Sequence, residues 1–166
     1  MLYNCIIVAY PMILISLEDE AMAYTVHKVE MWSGEIDDRV GGLVAKLEPL
    51  ASAGADLEIV IARRQPHLPG KGIVFLGPLK GAKVLAAAQA AGIAKTSDLA
   101  ALRVEGPNKP GEGFRLANRL KEAGINLRGF SATVLGKKFT ASLGFDSSAD
   151  ADKAASVLQT VPTKRK

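Results

Sequence analysis

The chain has 166 residues, 48% apolar and 23% charged, a balance that supports one ordinary domain or two small ones and excludes a disordered polymer. A net charge of +4, part of it in Lys164, Arg165 and Lys166, is too mild and too dispersed for a nucleic-acid footprint. The single Cys5 rules out an intrachain disulfide, and His27 and His67 lie far apart with no zinc-like Cys/His spacing, so a reducing, cytoplasmic setting is expected, with no metal or cofactor.

Residues 1–21 differ from the rest. "NCIIVAYPMILISL" is an apolar run broken by Pro11, too short for a membrane span. No Lys or Arg precedes Lys28, whereas a signal peptide has a basic start. The segment reads as an extension outside the functional module, ahead of an extra strand pair or a targeting segment.

A first copy of a repeat is expected over 22–97. "TVHKVEMW" alternates Val29 and Met31 with Lys28 and Glu30, which predicts a half-buried strand. The next helix carries Val40, Leu43, Val44, Leu47 and Leu50 on one face, with Asp37 or Asp38 as its cap and Gly54 as its stop. Pro49 falls late in that helix and is expected to kink it. "DLEIVIARR" and "KGIVFLGP" follow as strands joined by "QPHLPG", and "LKGAKVLAAAQAAG" is a second helix ending at Gly92. A segment near "KTSDLA" closes the copy as a fourth strand.

The second copy, over 98–166, repeats the order. "AGADL" at 53–57 and "AGINL" at 123–127 set an offset of 70, which also superposes Gly41 on Gly111, Val44 on Phe114, Leu50 on Leu120 and Gly54 on Gly124. "LAALRVEG" is a strand, "PGEGFRLANRLKEAG" a helix, "INLRGFSATVLG" and "KKFTASLGF" a hairpin, and "SADADKAASVLQTV" a helix with Ser147 or Ser148 as its cap. No final strand is evident before "PTKRK", so this copy is either trimmed or borrows a strand.

The order βαββα(β), written twice, is the ferredoxin-like topology: two α+β modules, each an antiparallel sheet with helices on one face. The open faces are not polar throughout. "IVFL" offers apolar side chains to both sides, and Val60, Ala62, Phe130, Ala132 and Val134 share one parity on their strands. Such faces need a second layer or a partner, and a homodimer is the expected outcome.

"DRVGGLVAKLEPLASAGADL" and "NKPGEGFRLANRLKEAGINL" both resemble the entry and first helix of the ACT domain, and the resemblance extends from Tyr24 to Val161 as tandem copies. It implies a regulatory module that binds a small molecule, most often an amino acid, against the loop between the first strand and first helix, where two copies meet. The family's acidic loop position falls on Asp38 and Asn108, its proline on Val40 and Pro110, and its glycine on Gly41 and Gly111. With the adjoining Gly42 and Glu112, these form the candidate ligand-binding set. The first copy lacks the proline and the second lacks the acid, so one loop alone can have kept the ligand.

Elementary chemistry agrees with that reading. A helix N-terminus presents unpaired amides and a partial positive charge to a carboxylate. Glycine permits close approach to the backbone, and Asp or Asn can accept from an ammonium group. The plain alternative is that such residues are ordinary caps and turns.

Other functional classes have less behind them. No catalytic triad or carboxylate pair is discernible, and the chain reads as a non-enzyme. "GPNKPGEG" lacks the ending of a phosphate loop. RNA-recognition modules share the topology, but "KKFTASLGF" offers Phe139 and Phe145 without their motif, and aromatics are only 5%. The expected partners are therefore a small-molecule ligand and a second copy of the chain, with neither nucleic acid nor membrane. A purely structural interaction protein is the remaining alternative.

Overall fold

The computed structural model describes residues 23–96 and 99–160. The expected extension over 1–21 and the basic tail lie outside them. The elements, in chain order, are β1 (Thr25–Val29), β2 (Trp32–Asp37), α1 (Val44–Ser52), β3 (Ile59–Arg64), β4 (Lys71–Gly77), α2 (Ala82–Ala90) and β5 (Ile93–Lys95), followed by β6 (Ala100–Pro107), α3 (Glu112–Glu122), β7 (Gly129–Leu135), β8 (Lys138–Phe145) and α4 (Ser148–Gln159). They build two antiparallel sheets of four strands, ordered β3-β4-β2-β5 and β1-β6-β8-β7. Each sheet carries two helices on one face, so the fold is two ferredoxin-like modules.

The missing last strand of the second copy is β1. Thr25–Val29 runs antiparallel to Glu105–Ala101 and completes the second sheet. The alternating stretch from Thr25 to Trp32 is thus two strands in two sheets, and the 22–97 and 98–166 partition does not follow strand pairing at that point. Val29 and Met31 are both buried, as their alternation requires, yet the chain changes sheets between them. No glycine or proline marks the crossing. Several contacts hold β1 down. Tyr24 N–H donates to Leu158 O at 3.0 Å, Lys28 pairs with Asp152 of α4 at 2.5 Å, and the Tyr24 ring meets Phe139 edge-on at 5.8 Å.

Three other details depart from the sequence reading. The first module closes with β5, which directly follows Gly92 and overlaps "KTSDLA" only at Lys95. Helix α1 begins at Val44, so Val40 lies in the preceding loop, 99% exposed, and Val44 is also exposed. Only Leu50 is fully buried on α1, with Leu43 and Leu47 packed at the core's margin. Neither Asp37 nor Asp38 caps the helix, whose N-cap Leu43 makes no side-chain bond. The reason is local: Gly41 has φ +81°, and at Gly42 a Cβ would sit 2.0 Å from Asp37 O, so the chain must turn tightly before it can wind. Ser147 does cap α4, its Oγ accepting from Asp150 N–H at 3.0 Å.

The helix-facing strand residues and the inward sides of the helices form two cores, one around Leu50, Val74, Leu76 and Ile93, the other around Leu102, Val104, Leu116, Leu143 and Phe145. The opposite faces meet each other. Val29, Met31, Ile59 and Ala101 are buried together, with Ile61, Phe75 and Leu99 against them, and Arg103 of β6 bridges to Glu58 beside β3. Each module therefore supplies part of the other's second layer. Val60, Ala62, Phe130, Ala132 and Val134 lie elsewhere. They pair across the ladder with helix-facing residues, Val60 with Leu76 and Phe130 with Leu143, on edge strands where helix cover runs out. Val60, Phe130 and Val134 are consequently exposed.

Leu143→Ala should cost about 2–5 kcal/mol, the usual range for a buried leucine, and should accelerate amide exchange in Thr25–Val29 together with β6 and β8. Exchange in β1 that instead follows β2 and β4 would contradict the shared sheet.

Candidate functional site

The two loop-helix junctions, equivalent in sequence, differ in structure. In the first module Asp38 accepts from Arg64 Nε at 3.0 Å. Asp37, at the end of β2, is held by Lys71 Nζ at 3.2 Å and Arg39 Nε at 3.4 Å. The Lys71 ammonium, followed by Arg39, lowers the Asp37 pKa, and Glu35 with Asp37 raises that of Lys71. Both acids are thus engaged within the chain. Val40 and Gly41 project into solvent. Gly42 alone of the predicted set borders a depression here, a polar one with Glu35, Asp37, Arg39 and Lys46.

The second junction opens onto a groove. Asn108, Lys109, Gly111, Glu112 and Gly113 form one wall, and Ala132, Thr133 and Val134 of β7 form the other, enclosing about 480 Å³. Gly111 is the N-cap of α3, and its φ of +85°, which only glycine adopts without strain, swings the chain into the helix. Four predicted residues gather here. Asn108 and Gly111 border the groove, Glu112 begins the helix, and Pro110 stands behind, its carbonyl accepting from Arg115 Nη2 at 2.7 Å.

Glu112 is the anchor of this wall. Its Oε2 accepts from Tyr24 Oη at 2.8 Å, and its Oε1 accepts from Arg115 Nη2 at 2.9 Å and Nε at 3.2 Å. A carboxylate in the first turn also suits the helix dipole. The Arg119 guanidinium stacks 5.2 Å from the centre of the Tyr24 ring and donates to the carbonyls of Val157 and Thr160 at the end of α4. Burial first, then the bond to Glu112, pushes the Tyr24 hydroxyl up to about 12. Burial likewise lowers the Arg119 pKa. The strand borrowed from the N-terminal side is therefore wired to the loop that borders the groove.

The sequence reading did not include the far wall. Among the described residues strand β7 pairs only with β8, so one side of its backbone has no partner strand there. Its membership of the groove depends on lying beside the start of α3, and the 70-residue offset could have pointed there, since Phe130 superposes on Val60 and both are exposed on edge strands. Among the described residues, no group of three or more His, Cys, Asp or Glu side chains could hold a metal. Within them, no helix is long and apolar enough to cross a membrane.

No family model matches the sequence, and no curated protein matches it. Solved structures do. Protein BT0572 from Bacteroides thetaiotaomicron superposes with a TM-score of 0.63 at 18% identity, over 81% of this chain and 88% of that one. The ligand-free regulatory subunit of aspartate kinase from Thermus thermophilus gives 0.59 at 12% identity, over 86% of this chain and 99% of that one. Aspartate kinase from Clostridium acetobutylicum, described as an allosteric enzyme, gives 0.52 at 14% identity, over 81% of this chain but 33% of that one. At such identities the likeness establishes the shared tandem fold.

The Tyr24 titration offers a direct check on the anchor. Its folded pKa lies above the ordinary value of about 10, so the neutral hydroxyl's contribution to stability is complete below pH 10 and is lost as the pH rises toward about 12. Ultraviolet titration should show a late tyrosine phase that disappears in Tyr24→Phe and moves down in Glu112→Gln. A wild type without that phase would remove the anchor.

Proposed function

We propose that this chain is a non-catalytic regulatory protein that binds an amino acid, or a small zwitterion like it, as a sensor. The observation that carries the reading is the groove between the α3 entry and the free edge of β7, in a fold shared with a regulatory subunit of aspartate kinase. The chemistry is complementary. Beyond Glu112, whose N–H donates to Lys109 O at 3.3 Å, the amides of the first turn of α3 offer donors to a carboxylate. The Asn108 side-chain oxygen and the outward edge carbonyls of β7 offer acceptors to an ammonium group. The first loop, with Asp38 already paired to Arg64, is the weaker candidate. RNA binding loses support, because the open sheet faces on which bases would stack pack against each other.

The same edge favours a homodimer. Phe114, Phe130, Val134 and Leu135 are exposed around the α3 and β7 side of the module. A second copy laid along β7 would cover them and close the groove, and twofold pairing is the commonest closed arrangement. Residence in the cytoplasm belongs to this same reading.

In a thermal-shift screen, one amino acid should raise the melting temperature, by about 2.7 kcal/mol of stability at a hundredfold excess over Kd. Asn108→Ala should weaken its binding in calorimetric titration by about 1.5–3 kcal/mol, the range for a hydrogen bond to a charged group. Asp38→Asn should leave it unchanged. Light scattering on the same samples should return twice the chain mass of 17.5 kDa. A flat screen at millimolar concentrations would overturn the sensor reading, and a 17.5 kDa particle at high concentration the dimer.

A further inference from the structure

The two open sheet faces touch at one end and part at the other. Where Val29, Met31, Ile59 and Ala101 meet, the contact is closed. Beside it, and lined in part by Met31, Ile59 and Ala101 themselves, lies a cavity of about 310 Å³. Its floor is apolar: Met31, Ile59, Ile61, Ile73, Phe75 and Leu99. Its remaining lining includes Arg63, Arg64, His67 and Arg128 and contains no Asp or Glu. Arg64 is paired with Asp38 and Arg128 approaches Asp146 at 3.8 Å. Arg63 stands on the strand parity of Ile59 and Ile61, and no ion pair engages it among the described residues. Gln65, also in the lining, has a buried side-chain oxygen without a hydrogen-bond partner there. Half a turn of that amide would present its NH₂ as a donor.

An apolar cleft with a basic mouth and no acid selects a ligand with two ends. The apolar end is driven between the sheets by burial. The charged end must be an anion, because guanidinium groups have donors only and pair best with carboxylate or phosphate. The volume sits at the small end of ligand cavities, roughly 300–1,000 Å³, which limits the tail. We propose that this cleft binds an amphipathic monocarboxylate with a short apolar tail, its carboxylate at Arg63. Because both modules line the cleft, an occupant would fix how the two sheets pack. The site would be a second input, separate from the α3 groove and independent of whether that groove takes an amino acid.

The test uses octanoate as the probe on the full chain, by isothermal titration calorimetry below its micellar range. Acetate supplies the charge without the tail, and 1-octanol the tail without the charge. Octanoate should bind at least tenfold more tightly than either. Arg63→Gln, at an exposed position, should weaken octanoate about tenfold with an unchanged melting temperature, whereas Lys121→Gln, on the exposed surface of α3, should not. Three results would overturn the proposal: no heat with millimolar octanoate, octanol binding as well as octanoate, or equal octanoate affinity in wild type and Arg63→Gln.

Discussion

The pairing of β1 with β6 is the constraint on which the remaining architecture depends. A ferredoxin-like sheet needs a fourth strand beside its first, and the second module has none among the described residues after α4. Thr25–Val29 supplies it from the other end of the chain. The first module, from Trp32 to Lys95, is thereby inserted between one strand of the second module and the rest. Two crossings, at Glu30–Met31 and around Leu99, tie the sheets together. Their apolar open faces are brought into contact there, where Met31 and Leu99 both join the shared cluster.

That insertion also explains why the two copies are no longer equivalent. Tyr24, at the start of the borrowed strand, reaches across the second core to Glu112 and lies under Arg119. The first module has no counterpart, since its closing strand, Ile93–Lys95, follows α2 directly. Its loop is instead stiffened by surface ion pairs, Asp38 with Arg64 and Asp37 with Lys71. Exposed pairs of this kind are individually weak, while the Glu112 cluster is largely buried, with an 11% exposed carboxylate side chain. The second loop is therefore tied to the core, and the first only to its surface.

Much of this could be read from residues alone, and the failures have physical causes. The 70-residue repeat, the helices ending at Gly54, Gly92 and Gly124, and the Ser147 cap follow from local rules that the structure obeys. The absence of a final strand was visible, but its donor was not, because alternation runs unbroken from Val29 to Met31 and nothing local marks a change of sheet. The start of α1 was misplaced because Val40 fits a helical face by spacing, whereas the positive φ of Gly41 forbids helix there. Asp38, Asn108 and Gly111 were singled out by the motif, and of these Asn108 and Gly111 border the groove. Ala132, Thr133 and Val134 were not singled out, since an edge strand becomes a wall only once the register of the sheet is known. The cleft between the sheets belongs to neither copy and has no sequence signature.

The central claim is that a small zwitterion is held between the α3 entry and the free edge of β7. Backbone amide chemical shifts, followed while the stabilising amino acid is added to isotopically labelled protein, test it most directly. The account predicts that the largest saturable changes fall at Gly111–Gly113 and at Ala132–Val134. Changes confined to Asp38–Gly42, or to the cleft between the sheets, would contradict it.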